Sequence, residues 1–285
     1  MKIFLAGATG AVGRLLLPLL VQAGHEVVGT TRSTAKSTQI VADGGQPVVV
    51  DVLERVALFT ALERARPDVV IHQLTDLAER NFAGNSQLRV VGTRNLVDAA
   101  LAVGVPRMIA QSIAWIYAPG AGPAAEHELL DLSAPPPRGN TVAAVQALEQ
   151  AVAELPVGVI LRYGLFYGPG TWYATDGLTT AQMYSGEFVG PAGVTSFLHV
   201  ADAAVAAYQA LTWPAGVYNI VDDEPAAGAV WTPVYAGWVG ASPPSLQPVA
   251  ADWERGASNA KARTLGWSPR FPSWREGFQA VLQAG

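Results

Sequence analysis

Three glycines, Gly7, Gly10 and Gly13, follow the apolar run Lys2–Ala6 and lead directly into a segment with helical patterning. Glycine at this spacing permits a tight turn, close approach of backbone to a phosphate, and close packing of helix on strand. A helix start placed there offers amide donors and a favourable dipole to anions. The segment Gly7, Thr9, Gly10, Ala11, Val12 and Gly13 is therefore expected to cradle the diphosphate of a dinucleotide. The end of the next apolar run, Val27-Val28-Gly29-Thr30-Thr31-Arg32-Ser33, decides which dinucleotide, since a carboxylate there binds ribose hydroxyls and an arginine suits a 2′-phosphate. No carboxylate is present. Arg32 supplies a permanently charged fork, Thr31, Ser33 and Lys36 are placed to assist, and NADP(H) is the expected cofactor.

The elements that must hold this cradle are legible from periodicity. Strand-length apolar runs at 2–6, 25–30, 47–51, 68–72, 107–112 and 157–162 alternate with helical patterns at 11–23, 54–65, 87–103 and 141–154, the signature of repeated βαβ units. Pro18 falls inside the first helix and is expected to kink or loosen it. After about residue 168 the texture turns to Gly, Pro and aromatic residues. The expected fold is α/β: a Rossmann-type doubly wound parallel sheet over 1–167, with a smaller substrate-binding lobe over 168–285 from which 196–221 returns to the main sheet.

Composition narrows the function. Half of the 285 residues are apolar, enough for a sizeable core, and the net charge of −5 gives no field for nucleic acid. The absence of cysteine excludes disulfides and thiolate chemistry, and the four histidines, His25, His72, His127 and His199, fall at no metal-ligand spacing, so no metal is expected. No apolar run is long enough to span a membrane. A secretory reading of Met1-Lys2 and the later Leu15-Leu16-Leu17-Pro18-Leu19-Leu20 is interrupted by the glycine segment, and a cytoplasmic location is expected. A small-molecule substrate is the expected partner, with a homodimer left open.

Taken together with further segments, these residues resemble the extended short-chain dehydrogenase/reductase superfamily, in its NAD-dependent epimerase/dehydratase group. Asp51-Val52 is similar to the family's adenine-contacting pair, and Val70-Ile71-His72-Gln73-Leu74 to its fourth-strand motif beside the cofactor. Val91-Gly92-Thr93-Arg94-Asn95-Leu96 resembles the helix that follows, with Arg89 where many members have Asn. Leu161-Arg162-Tyr163-Gly164-Leu165-Phe166-Tyr167-Gly168-Pro169-Gly170 resembles the strand and loop that pass the nicotinamide, with Tyr163 in place of the usual Pro. The resemblance implies that Asp51, Val52, Gln73, Leu74 and Leu165 join the cofactor site. Phe197-Leu198-His199-Val200-Ala201-Asp202, Val217-Tyr218-Asn219-Ile220 and Lys261-Ala262-Arg263-Thr264-Leu265-Gly266-Trp267 extend it along most of the chain.

The same resemblance exposes a loss. The family pairs a Tyr and a Lys one helical turn apart with a Ser or Thr at the end of the fifth strand, so that an ammonium makes a phenol of pKa about 10 usable as acid or base. Counting back from Glu149 places Thr141 and Val145 at the Tyr and Lys positions, and Ile113 stands where the hydroxyl residue belongs. No Tyr or Lys lies between Tyr117 and Tyr163 to rescue the motif. Asn140 or Thr141 suits a helix N-cap instead. Three hydroxyls are candidate substitutes: Tyr163 beside the implied nicotinamide site, Tyr117 after the fifth strand, and Ser112 at its end. Trp115, Trp172 and Tyr173 are expected to line an apolar or ring-shaped pocket, and His199 to be structural.

The expected function is an NADP(H)-dependent oxidoreductase of atypical mechanism acting on a small, apolar or cyclic substrate. Two alternatives use the same scaffold: an NADP(H)-binding regulatory or sensor protein without turnover, and a non-redox isomerase or lyase.

Overall fold

In the computed structural model, which describes residues 1–283, the elements follow in the order β1 (Lys2–Ala6), α1 (Gly13–Gln22), β2 (Glu26–Thr31), α2 (Ser37–Ala42), β3 (Gln46–Val49), α3 (Arg55–Ala65), β4 (Val69–His72) and α4 (Phe82–Gln87). A π-helical segment (Leu88–Gly92) leads into α5 (Thr93–Ala102), β5 (Arg107–Ile113), α6 (Arg138–Val152), β6 (Val157–Tyr163), β7 (Leu165–Tyr167) and α7 (Leu178–Ser185). The chain continues through β8 (Val194–Thr195), β9 (Phe197–His199), α8 (Val200–Gln209), β10 (Gly216–Ile220), β11 (Ala226–Ala227), α9 (Gly228–Val239), α10 (Ala260–Thr264) and α11 (Trp274–Gln283).

Seven strands form one sheet in the order β10-β6-β5-β4-β1-β2-β3. β1 pairs in parallel with β2 and β4, β2 with β3, and β4 with β5, as the βαβ pattern requires. The strand order reverses between β1 and β4. In an open α/β sheet such a reversal leaves a crevice at the carboxyl ends of the two strands, which is where ligands bind.

The contacts divide the chain into two interleaved units: Met1–Ser112 with Leu132–Leu161 and Ala204–Val217, and Ile113–Asp131 with Arg162–Ala203 and Tyr218–Gly285. The first has an aliphatic core, in which Phe4, Leu62, Val70, Leu96, Met108, Leu148 and Ile160 are buried between strands and helices. Burying each such side chain stabilises the fold by about 1.5–3 kcal/mol. The second has an aromatic core of Tyr167, Tyr173, Phe197, Trp231, Tyr235, Trp274 and Phe278. Its rings meet edge-on, as Phe197 and Trp231 do at 5.1 Å and 84°, the arrangement that ring quadrupoles favour. Two of the expected pocket aromatics belong here: Tyr173 is part of this core and Trp172 packs against it.

Local differences from the sequence reading have simple causes. Helix α1 runs unbroken through Pro18. A proline removes the bond to the carbonyl four residues earlier, and that carbonyl belongs to the half-exposed Arg14. Helix α6 begins at Arg138 after a Pro137 cap, so Asn140 and Thr141 lie in its first turn and neither is the N-cap. The Gly139 amide is already taken by the Pro135 carbonyl at 2.9 Å, which winds the turn three residues early. The pattern at 87–103 is three pieces, α4, the π-helical segment and α5, where periodicity suggested one helix. Among the described residues no helix is long and apolar enough to cross a membrane.

Candidate active site

The glycine cradle lies at the carboxyl end of β1, in the first unit. Gly7 has φ +90°, and a Cβ there would lie 2.8 Å from the Gln73 carbonyl oxygen. A Cβ on Gly13 would sit 2.0 Å from the Gly7 carbonyl oxygen, with backbone on every side. Neither position admits a side chain without moving main chain. The Gly10 amide closes the turn onto the Gly7 carbonyl at 3.0 Å, the Gly7 amide donates to Thr30 Oγ1 at 3.2 Å, and Gln73 is tied to Ala6 at 2.9 Å. A loop held this closely against β4, opening into α1 just after Ala11 and Val12, fits a diphosphate.

At the end of β2, Thr31 is buried and its Oγ1 accepts from the Ser33 amide at 3.2 Å, turning the chain so that Arg32 and Lys36 are exposed. Arg32 reaches Asp76 at 3.4 Å, with more than half of its side chain exposed. A surface pair of that kind is worth about 0–1 kcal/mol and does not hold the guanidinium against a phosphate. At the end of β3, Asp51 Oδ1 accepts from the Leu53 amide at 2.9 Å, and Asn95 Nδ2 donates to the Val52 carbonyl at 3.0 Å, which fixes the Asp51-Val52 turn. Leu74, half-buried after β4, donates its amide to His72 Nδ1 at 3.2 Å. With Nδ1 accepting, His72 Nε2 carries the proton that faces Thr93 Oγ1 at 3.0 Å. Burial, reinforced by the Arg89 charge, pulls the pKa of this imidazole down to about 4, and it stays neutral.

Thr141, Val145 and Glu149 lie four residues apart on α6 and share one face. Ser112 Oγ donates to Glu149 Oε1 at 2.7 Å, which docks that face on the end of β5. Val145 is fully buried and Ile113 nearly so. Both residues that the sequence register sets against the family's ammonium and hydroxyl are thus buried hydrocarbon.

The other two candidate hydroxyls belong to the second unit, and both have internal partners. Tyr117 OH donates to Asn219 Oδ1 at 2.6 Å, while Asn219 Nδ2 donates to the Ala124 and Ser258 carbonyls, so its oxygen is a fixed acceptor. Burial pushes the Tyr117 phenol up to about 12 against the pull of the Arg162 guanidinium, which stacks 4.9 Å from its ring. Tyr163 is buried, with its hydroxyl 3.4 Å from the Ala203 carbonyl and its ring against Phe166. His199 is also held neutral, its pKa drawn down to about 4 first by burial and then by Arg270.

The second unit contains a cleft of about 640 Å³, its open mouth included, walled by Trp115, Tyr117, Leu165 and Trp253, with Ser196 and Glu254 among its polar groups. Glu254 is steadied by the Gly193 and Ala251 amides on Oε2 at 3.2 and 3.0 Å. Of the sequence-derived site residues, Tyr117 and Leu165 come together in this wall; Tyr163 does not line it. Trp253 and Glu254 escaped the sequence reading because the stretch after residue 240 has no periodic pattern to single them out.

The model of the NAD dependent epimerase/dehydratase family matches residues 3–221. The chain belongs to that family. A 3-diazoavenalumate denitrifying reductase from a Streptomyces species is 43% identical to it, over 97% of this chain and 99% of that protein. A 2-alkyl-3-oxoalkanoate reductase from Stenotrophomonas maltophilia is 30% identical over 60% of this chain and 52% of its own length. Among solved structures, the UDP-glucose 4-epimerase of Thermotoga maritima with UDP-glucose superposes with a TM-score of 0.79 at 21% identity, covering 99% of this chain and 98% of that one. The Thermus thermophilus UDP-glucose 4-epimerase in complex with NAD does so with a TM-score of 0.76 at 22% identity and the same coverage. As a member of this epimerase/dehydratase family the chain keeps the doubly wound sheet.

Proposed function

We propose that this oxidoreductase uses NADPH to reduce an aromatic diazo group, with release of dinitrogen. The observation that carries the reading is the face of α6: in sequence register the tyrosine, lysine and hydroxyl positions fall to Thr141, to the fully buried Val145 and to the buried Ile113, so the usual tyrosine–lysine acid for a nascent alkoxide is missing. Carbonyl reduction needs such an acid, and general acid catalysis is worth about 10²–10⁴ in rate. A diazonium arene needs none. It accepts a hydride pair as the new C–H bond, the C–N bond pair leaves with dinitrogen, and the positive charge is discharged without a proton.

Bound NADPH supplies the two-electron hydride. The cradle of Gly7, Gly10 and Gly13 holds its diphosphate, Arg32 with Thr31, Ser33 and Lys36 takes the 2′-phosphate, and Asp51, Val52, Gln73 and Leu74 frame the rest. The cleft of the second unit takes the flat ring between Trp115, Tyr117, Leu165 and Trp253, and the Glu254 carboxylate favours a cationic arene over a neutral one. Ser112 and Tyr163 act through position: one anchors α6 to β5, the other packs its segment. The whole-length similarity to a denitrifying reductase supports the same reading.

The test is to mix enzyme, NADPH and an arenediazonium salt, following absorbance at 340 nm together with dinitrogen by mass spectrometry. One dinitrogen per NADPH, above the rate with heat-inactivated enzyme, is the expected result. Consumption of NADPH on ketones at comparable speed, with no enzyme-dependent dinitrogen, would overturn the reading.

A further inference from the structure

Arg89 is the most anomalous charge in the first unit. Only 8% of it is exposed, yet among the described residues it makes no hydrogen bond and no ion pair. A guanidinium carries a permanent charge and five N–H donors; here no protein acceptor meets them, and no Arg89 nitrogen is among the described buried atoms left without a partner, so the head group keeps a narrow opening through which an anion could reach it. Its charge bears on His72, which stays neutral and whose ring nitrogens are taken by the Leu74 amide and Thr93 Oγ1, so the ring offers no acceptor. Burial draws the Arg89 pKa down to about 10, with no acid opposing it.

The backbone around it is also unusual. Arg89 lies in the π-helical segment Leu88–Gly92, wedged between α4 and α5. Such bulges sacrifice regular helix geometry and occur frequently at functional sites. His72, which feels this charge, pairs in register with Ala6, the residue before Gly7, and the carbonyl of Gln73, the residue after β4, lies against Gly7. Thr93 Oγ1, which faces His72 Nε2 at 3.0 Å, donates to the Leu88 carbonyl at 3.4 Å, so the turn that carries Arg89 is tied to the same strand end as the glycine cradle.

We propose that Arg89 is an anion-binding residue of this crevice and that its ligand is the diphosphate of the bound dinucleotide. The chain then holds one guanidinium for each end of the nucleotide: Arg32, exposed, for the 2′-phosphate, and Arg89, buried, for the diphosphate. The inference rests on the cradle alone and is independent of the reaction.

The experiment compares the parent with Arg89→Met, Arg89→Lys and Arg32→Ala by two readouts, melting without ligand and fluorescence titration with NADPH and with NADH. Since Arg89→Met removes an unsatisfied charge, it should melt at or above the parent when ligand-free. It should bind NADPH and NADH about tenfold or more weakly, to an equal extent, because both carry the diphosphate. Arg89→Lys should recover part of that loss, and Arg32→Ala should affect NADPH only. Failure of Arg89→Met to fold, or melting below the parent, would make Arg89 structural and overturn the proposal. So would parental affinity for both nucleotides, including the case in which only substrate binding suffers.

Discussion

The glycine cradle and the face of α6 are both parts of the first unit, and they are built for opposite ends. In the cradle the backbone leaves no room for side chains at Gly7 or at Gly13, where a carbonyl lies 2.0 Å from where a Cβ would be. On α6 the helix is intact and docked through Ser112 and Glu149, but the residues that would move protons are Thr141 and a fully buried Val145. Binding of a nucleotide and handling of protons are separable, and in the proposed reading this chain is built for the first without the usual tyrosine–lysine pair.

That contrast can be broken from either side. Gly13→Ala is expected to have the largest effect, because the clash is with main chain and cannot be relieved by a rotamer. Dinucleotide affinity should fall by at least about 100-fold, or about 2.8 kcal/mol, with a lower melting temperature. Titration by fluorescence checks the first and differential scanning the second. Restoring the lost pair through Thr141→Tyr with Val145→Lys should destabilise the chain by about 3–5 kcal/mol, since an ammonium enters a fully buried apolar site without a partner. Denaturant unfolding measures that cost, and denitrification should not accelerate; a faster diazo reduction would mean that the reaction wants the acid after all.

Smaller changes sharpen the contrast. Arg32→Ala should weaken NADPH about tenfold and leave NADH within about twofold, because a charge-assisted bond contributes roughly 1.5–3 kcal/mol. Equal affinity of the parent for both nucleotides would contradict the assignment. Tyr117→Phe and Tyr163→Phe should change kcat least, by less than about threefold, since both hydroxyls bond within the protein and a phenol pushed up to about 12 is no acid near neutrality. The pH profile of kcat should accordingly be flat through the range where a lysine-assisted tyrosine would titrate. A tenfold loss in either variant, with nucleotide affinity unchanged, would return that hydroxyl to the chemistry.

What the sequence made legible follows the range of the forces involved. Gly7 and Gly13 were readable because a steric requirement of the backbone is local, and β1, β2 and β4 because a buried parallel strand is a continuous apolar run. Register against Glu149 assigns Thr141 and Val145, and the count within 111–117 assigns Ile113, to the family's catalytic positions; what the structure adds is that Val145 and Ile113 are buried. Arg89 was visible as a departure in residue type, but its isolation depends on a π-helical segment inside an unbroken helical pattern and on what the surrounding helices fail to supply. Tyr173 was misplaced for a related reason: an aromatic in a Gly- and Pro-rich stretch looks the same in sequence whether it lines a cleft or stacks edge-on against Trp231 and Tyr235. Trp115 is legible as a pocket aromatic and does line the cleft, but Trp253, which shares that wall, lies far away in the chain with no local pattern to announce it.

The most direct measurement follows the hydride itself. Turnover of an arenediazonium in ordinary water, with NADPH carrying deuterium at C4 in each of the two configurations in turn, is analysed by mass spectrometry of the arene. The account predicts that one of the two places a single deuterium on the ring carbon that lost nitrogen, with one dinitrogen released per label transferred. An arene that carries only solvent hydrogen at that carbon, from both labelled cofactors, would contradict direct hydride transfer without an acid.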